Sequence, residues 1–132
     1  MEFFEVIEKR HSYRGGFKDE PVLKDDLIKI VEAGLKAPSG KNQQTTEFII
    51  VENQKLVDSI ASMHKHNKAV QQASAFIVCL VDKTPIPILN NLSFQIEDCA
   101  AAVENMLLAI TSLVTFNKFL IHLMNDAVLQ GL

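Results

Sequence analysis

The stretch SFQIEDCAAAVENMLLAITSL, residues 93–113, decides how this chain folds. Ile96, Ala100, Val103, Leu107 and Ile110 recur at helical spacing along one stripe, and Cys99, Ala102 and Met106 form a second apolar stripe beside it. An apolar face that wide needs cover on two sides. The rest of a 132-residue chain offers little surface to supply it, so the spacing predicts a long helix shared between its own core and a symmetric partner.

Working outward, Ala75 to Val81 is an almost wholly apolar, β-branched run, and Phe48 to Val51 is a shorter one. Both read as strands buried in a sheet. Gln54 to His64 reads as a helix behind Asn53. Leu27, Ile30, Val31 and Leu35 form a helical stripe over Lys24 to Lys36, with Asp25 and Asp26 suited to the first turn and Pro38 preventing continuation. Phe3, Val6 and Ile7 give a short amphipathic helix whose basic end, Lys9 and Arg10, complements its dipole before Gly15 and Gly16 end regular structure. Helices and strands in this order make an α+β domain, and the absence of a repeat or a Ser/Gly-rich linker makes residues 1–132 one unit.

Composition excludes several classes. Hydrophobic residues make up 48% and charged residues 22%, an ordinary globular balance. A net charge of −3 with interspersed signs sets up no field that would gather nucleic acid or an anionic membrane. Cys79 and Cys99 lie twenty positions apart with no metal-ligand spacing, and read as buried free thiols of a cytoplasmic protein. The amino terminus lacks the pattern of a secretory signal. Met106 to Met124 reaches spanning length, yet Asn117, Lys118 and His122 interrupt it, so no membrane span is expected. His64 and His66, two apart, point to different helix faces and read as solvated surface residues. Asp98 and Glu104 are too far apart around their helix for an acid–base dyad and read as solvent-facing or interface-paired.

Two segments carry candidate chemistry. Lys9-Arg10-His11-Ser12-Tyr13-Arg14 gathers two guanidiniums, an imidazole and a hydroxyl at a helix end, an inventory suited to a phosphate monoester. Taken alone it reads rather as a solvated basic helix terminus. Ala37-Pro38-Ser39-Gly40-Lys41-Asn42-Gln43-Gln44 is a turn-rich segment dense in neutral donors and acceptors, which could read a polar heterocycle or simply end a helix. No dinucleotide or P-loop fingerprint occurs.

Together these two segments, an R-[RH]-S-x-[RK] run followed by A-P-S-x-x-N-x-Q, and the helix from Ile96 to Ala109 resemble the nitroreductase-like FMN oxidoreductases over roughly residues 3–113. The resemblance implies a nitroreductase-like fold: a central mixed β-sheet flanked by helices, with the long helix at an intertwined dimer interface. It implies that Arg10, Ser12 and Arg14, with His11 beside them, hold the FMN phosphate and ribityl chain. Pro38, Ser39 and Asn42 would line the flavin ring from the partner subunit, with Gln44 hydrogen-bonding near it. It further implies NAD(P)H as electron donor, a nitroaromatic, quinone or similar small molecule as acceptor, and ping-pong turnover. No side chain is assigned as catalytic.

The sequence departs from that pattern in three places. Thr45-Thr46 stands where the family often has Pro-Trp, and Lys41 where small residues are frequent. After Leu113 the family's glycine-containing segment is absent, so the carboxyl-terminal part reads as incomplete and residues 114–132 as a divergent tail. The competing expectation is a non-catalytic remnant or a dimeric flavin-binding module without a completed active site.

Overall fold

The computed structural model describes residues 1–12, 22–82, 87–113 and the backbone of 120–123. Seven longer elements organise it: α1 (Phe3–Lys9), α2 (Lys24–Leu35), β1 (Thr46–Val51), α3 (Gln54–Met63), the short α4 (Lys68–Gln71), β2 (Phe76–Val81) and α5 (Gln95–Ser112). A further strand, β3 (Leu120–Leu123), completes a three-stranded mixed sheet in the order β1-β2-β3. β1 runs antiparallel to β2, with Thr46 opposite Val81 and Val51 opposite Phe76, while β3 runs parallel to β2, with Phe76 opposite Leu120. The tail expected to diverge from residue 114 therefore places a strand at 120–123, and α5 is the crossover between two parallel strands.

β2 is the middle of the molecule. Its side chains alternate between faces, so Ile77 and Cys79 join Leu27, Ile30, Met106 and Ile110 of α2 and α5, while Phe76 and Val78 meet Val57, Ile60 and Val70 of α3 and α4. With both faces covered, an unbroken apolar run is what the strand needs. β1 departs from the expectation of full burial. As an edge strand its burial alternates and Ile49 remains 46% exposed.

Local chemistry sets the helix ends. The Asn53 side chain accepts from Lys55 N at 3.1 Å and Leu56 N at 3.4 Å, capping α3, and Asn67 caps α4 in the same way. The α4 turn was not foreseen, since four residues are too few to show a period. On α1 the Lys9 ammonium donates to Glu5 one turn earlier and holds that carboxyl below its ordinary value. α2 runs as expected, except that Leu35 is exposed and Gly34 takes the buried position against α5. A Cβ on Gly34 would stand 2.9 Å from Met106 Cγ and 3.3 Å from Phe48 Cζ, so glycine permits the close approach of α2 to α5.

Within this chain the second of the two apolar stripes of α5 is the covered one, joined by Ile110 from the first. Cys99, Ala102, Met106 and Ile110 are buried in this chain, whereas Ile96 is 76% exposed, Ala100 is exposed, and Val103 and Leu107 are half-buried. Cys79 and Cys99 are both free and buried, and they meet between β2 and α5. Their mutual hydrogen bond and burial push the Cys79 thiol up, while the same hydrogen bond makes Cys99 the first of the two to lose its proton. Among the described residues no helix is long and apolar enough to cross a membrane, and α5 ends at Ser112.

Candidate functional site

Among the described residues, the loop after α2 carries three of the five non-glycine residues with left-handed backbone, the other two being Asn90 and Asn91. Lys41, Asn42 and Gln44 have φ of 49°, 57° and 53°, left-handed values that cost about 1 kcal/mol or more each for residues with side chains. Two tight turns hold the loop from within: Asn42 N donates to Ser39 O at 2.9 Å and Gln43 N to Gly40 O at 3.1 Å. Ser39 Oγ accepts from Gln44 N at 3.0 Å, closing the loop across its base. From outside, Gly40 N donates to Asp98 Oδ1 on α5 at 2.9 Å, and Lys41 Nζ donates to Ile88 O at 3.0 Å.

Beside this loop lies a cleft of about 350 Å³. Leu35, Phe48 and Ala102 give it apolar walls, and Ser39, Gln44 and Asp98 give it polar corners. The hydroxyls of Thr45 and Thr46 are buried with no partner among the described residues, and Thr46 lines the cleft. Buried polar groups are normally satisfied, and a cleft of mixed lining beside two such unpartnered hydroxyls suits a flat ligand with a polar edge.

The basic segment sits at the other end of the site. Arg10 ends α1, half-buried, with Nε 3.6 Å from Glu104 Oε1. His11 Nδ1 donates to Lys9 O at 2.8 Å, and Ser12 is exposed. Arg14 lies outside the described residues, as do Gly15 and Gly16. The four loop positions Pro38, Ser39, Asn42 and Gln44 are therefore brought together, as are Arg10, His11 and Ser12, in two separate groups.

Both groups are attached to α5, and by the two acids that sequence reading dismissed. Asp98 is half-buried and bonded to the loop, while Glu104 pairs with Arg10. Six residues of helix put these carboxylates about 9 Å apart along the axis and about 120° apart around it. Asn105, one turn-pair beyond Asp98 on the same stripe, donates from Nδ2 to Ala33 O at 3.2 Å and so ties down the end of α2 from which the loop departs. The available signal was register: Asp98 precedes Ala102 by four and stands next to Cys99, at the margin of the buried stripe. Among the described residues no group of three or more His, Cys, Asp or Glu side chains could hold a metal ion.

The model of the nitroreductase family matches residues 7–85, which include both segments. The chain belongs to the nitroreductase family. A nitroreductase-family relative from Archaeoglobus fulgidus, provisionally named an NADH dehydrogenase/NAD(P)H nitroreductase, is 32% identical over 110 residues, covering 82% of this chain and 60% of its own length. A relative of the same provisional name from Methanothermobacter thermautotrophicus is 30% identical over 115 residues, covering 86% and 57%. Among solved structures, a nitroreductase family protein from Clostridium novyi NT superposes with a TM-score of 0.74 at 32% identity, covering 85% of this chain and 65% of that one. A nitroreductase with bound FMN from Bacteroides fragilis superposes with a TM-score of 0.64 at 29% identity, covering 86% and 66%. The α+β fold is the nitroreductase fold, and the chain spans between 41% and 60% of the length of the curated relatives it matches.

Proposed function

We propose that the chain binds FMN between two copies of itself and serves as an NAD(P)H oxidoreductase for nitroaromatics, quinones or similar small acceptors. One observation carries this reading: a cationic segment and a donor-rich left-handed loop are fixed to different faces of one helix, α5, by Glu104 and Asp98. A single copy presents the two groups about 120° apart around that helix. Two copies sharing α5 would let the cationic segment of one face the loop of the other. Exposed Ile96 and Ala100, with half-buried Val103 and Leu107, are the surface left for that contact.

The residues present fit FMN. Arg10, with Arg14, offers planar forks for phosphate oxygens, and Ser12 adds a neutral donor. The Arg10–Glu104 pair is long and half-exposed, so a phosphate can share or displace it at small cost. His11 is oriented through Nδ1 by Lys9 O. On the loop, Pro38 and Ser39 give the ring a rigid edge, and the amides of Asn42 and Gln44 supply donors and acceptors without charge. FMN, when bound, supplies the acceptance and release of hydride, while the protein fixes its phosphate, sets polarity around the ring and shapes the slot above it. Donor and acceptor would use that slot by turns, giving ping-pong kinetics. A cytoplasmic location agrees with two buried free thiols.

The visible absorption spectrum of protein purified without added flavin tests the reading, with identification of any pigment released on denaturation. Released FMN is the expected result. Replacing Arg14 by Ala should then weaken FMN binding by about 1.5–3 kcal/mol, the loss of one charge-assisted contact. Colourless protein that refuses added FMN overturns the proposal and favours a remnant that keeps the fold without the cofactor.

A further inference from the structure

The left-handed loop cannot owe its shape to its own sequence alone. Its internal bonds, Asn42 N to Ser39 O, Gln43 N to Gly40 O and Gln44 N to Ser39 Oγ, define turns but not where those turns sit relative to the rest of the molecule. Two contacts do that among the described residues. The Lys41 bond to Ile88 O is made by an exposed, flexible side chain. The Gly40 bond to Asp98 is half-buried, 2.9 Å long, and made by a carboxylate rooted in the first turn of α5. Both bonds have one charged partner, and the half-buried one, whose acceptor is anchored on a helix, fixes the loop more firmly than the exposed one of a mobile lysine. Gly40 suits it as well: a Cβ there would stand 2.8 Å from Ile88 Cδ1 and 3.3 Å from Phe94 Cβ, so any larger residue would have to push these side chains aside for the amide to come so close to the start of α5.

We propose that Asp98 is a positioning residue for the flavin, fixing the strained loop Ser39–Gln44 through Gly40 N so that Asn42 and Gln44 meet the ring. The proposal rests on the FMN reading for its ligand, but the mechanical part stands on the flavin-free protein. Asp98 also lines the cleft beside the loop. Its acceptor function, not its charge, is what the loop needs, and an asparagine can supply that.

Two readouts test this on the whole chain. In flavin-free protein, amide hydrogen exchange at Gly40 to Gln44 should rise about tenfold in D98A and stay within about twofold of wild type in D98N, whose amide oxygen still accepts from Gly40. FMN affinity, followed by quenching of flavin fluorescence, should fall about tenfold in D98A and be rescued by D98N. If Asp98 served only as a negative charge near the helix start, D98N would be as impaired as D98A, and E97A, which removes the neighbouring first-turn charge, would match both. That pattern, or unchanged exchange at Gly40 in D98A, overturns the proposal. Should D98A fail to fold, D98S takes its place, since a serine hydroxyl suits an early helix position but falls short of Gly40. A wild-type protein that takes up no FMN defeats the FMN reading, and the exchange experiment then still decides whether Asp98 fixes the loop.

Discussion

The inner and outer faces of α5 carry much the same kinds of residue and meet opposite fates. On the inner face Met106 is fully buried and Ile110 is 5% exposed, while on the outer face Ile96 is 76% exposed. Hydrophobic periodicity reports that a face is apolar, not what covers it. Coverage depends on the elements brought against the helix, here α2 through Gly34 and β2 through Cys79, and neither is visible in the helix's own spacing. The difference teaches that a helix with more apolar surface than its own domain covers has one stripe for folding and one for something else. Substitutions on the two faces should therefore separate stability from association.

The largest separation is expected at Met106. Truncation to Ala removes a side chain with no solvent exposure from the junction of α2, α5 and β1, at a cost of about 2–5 kcal/mol. Urea or thermal unfolding measures it. A loss below about 0.5 kcal/mol, the size of a surface change, would mean that the inner face is not the core.

Gly34 probes the same junction from the other side. Alanine gains about 1 kcal/mol in helix propensity, yet its methyl would stand 2.9 Å from Met106 Cγ and against the Phe48 ring, and overpacking of this kind costs about 1–3 kcal/mol. The clash should outweigh the propensity, giving net destabilisation of about 1–2 kcal/mol. Pairing G34A with M106A in a double-mutant cycle sharpens the comparison, because the cavity should absorb the new methyl and make the two costs less than additive.

Cys79 and Cys99 give the inner face a dependence on pH. The folded pair loses a proton from Cys99 first, and Cys79 keeps its own because hydrogen bonding, burial and a neighbouring thiolate all push it up. An unfolded chain has lost both above about pH 9. The stabilising contribution of Cys79 is thus fully present below the ordinary thiol range and is lost as pH rises beyond it, by about 1.4 kcal/mol per pH unit for one proton. Cys99, whose folded value is lowered, adds the opposite slope below the ordinary thiol range, so the difference between the unfolding free energies of wild type and of the double variant C79A/C99A, measured from about pH 8 to 11, should fall with that slope only above about pH 9. Parallel curves would show that the two thiols do not hold a proton in the fold.

How far this could be read from the sequence follows physical lines. α2, α3 and α5 declare themselves within a residue or two because 10 to 18 residues span several turns, and β2 because a strand covered on both faces must be apolar throughout. α4 has too few residues to show a period, and β3 rests on pairing with β2, a contact that its own four residues do not encode. Ser39 to Gln44 is legible as a loop with donors, but its left-handed backbone belongs to non-glycine residues and is held from 58 positions away by Asp98. Asp98 and Glu104 were dismissed because they fail as a dyad. Their work is to hold other residues, and that kind of work has no sequence spacing.

The smallest expected effect on stability, and the sharpest on association, lies at Ile96. Being 76% exposed at the start of the outer stripe, it makes few contacts whose loss could matter to the folded chain, so I96S should change unfolding free energy by less than about 0.5 kcal/mol. If two copies share α5, however, serine would stand where the partner expects an apolar side chain, and each such residue at the centre of an interface contributes about 1–3 kcal/mol to binding. Sedimentation velocity of wild type and I96S over a range of protein concentrations reads this directly. A wild-type dimer that dissociates more readily in I96S, with folding unchanged, would make the outer face an association surface; wild type sedimenting as a monomer throughout would leave the two halves of the flavin site without a means of meeting.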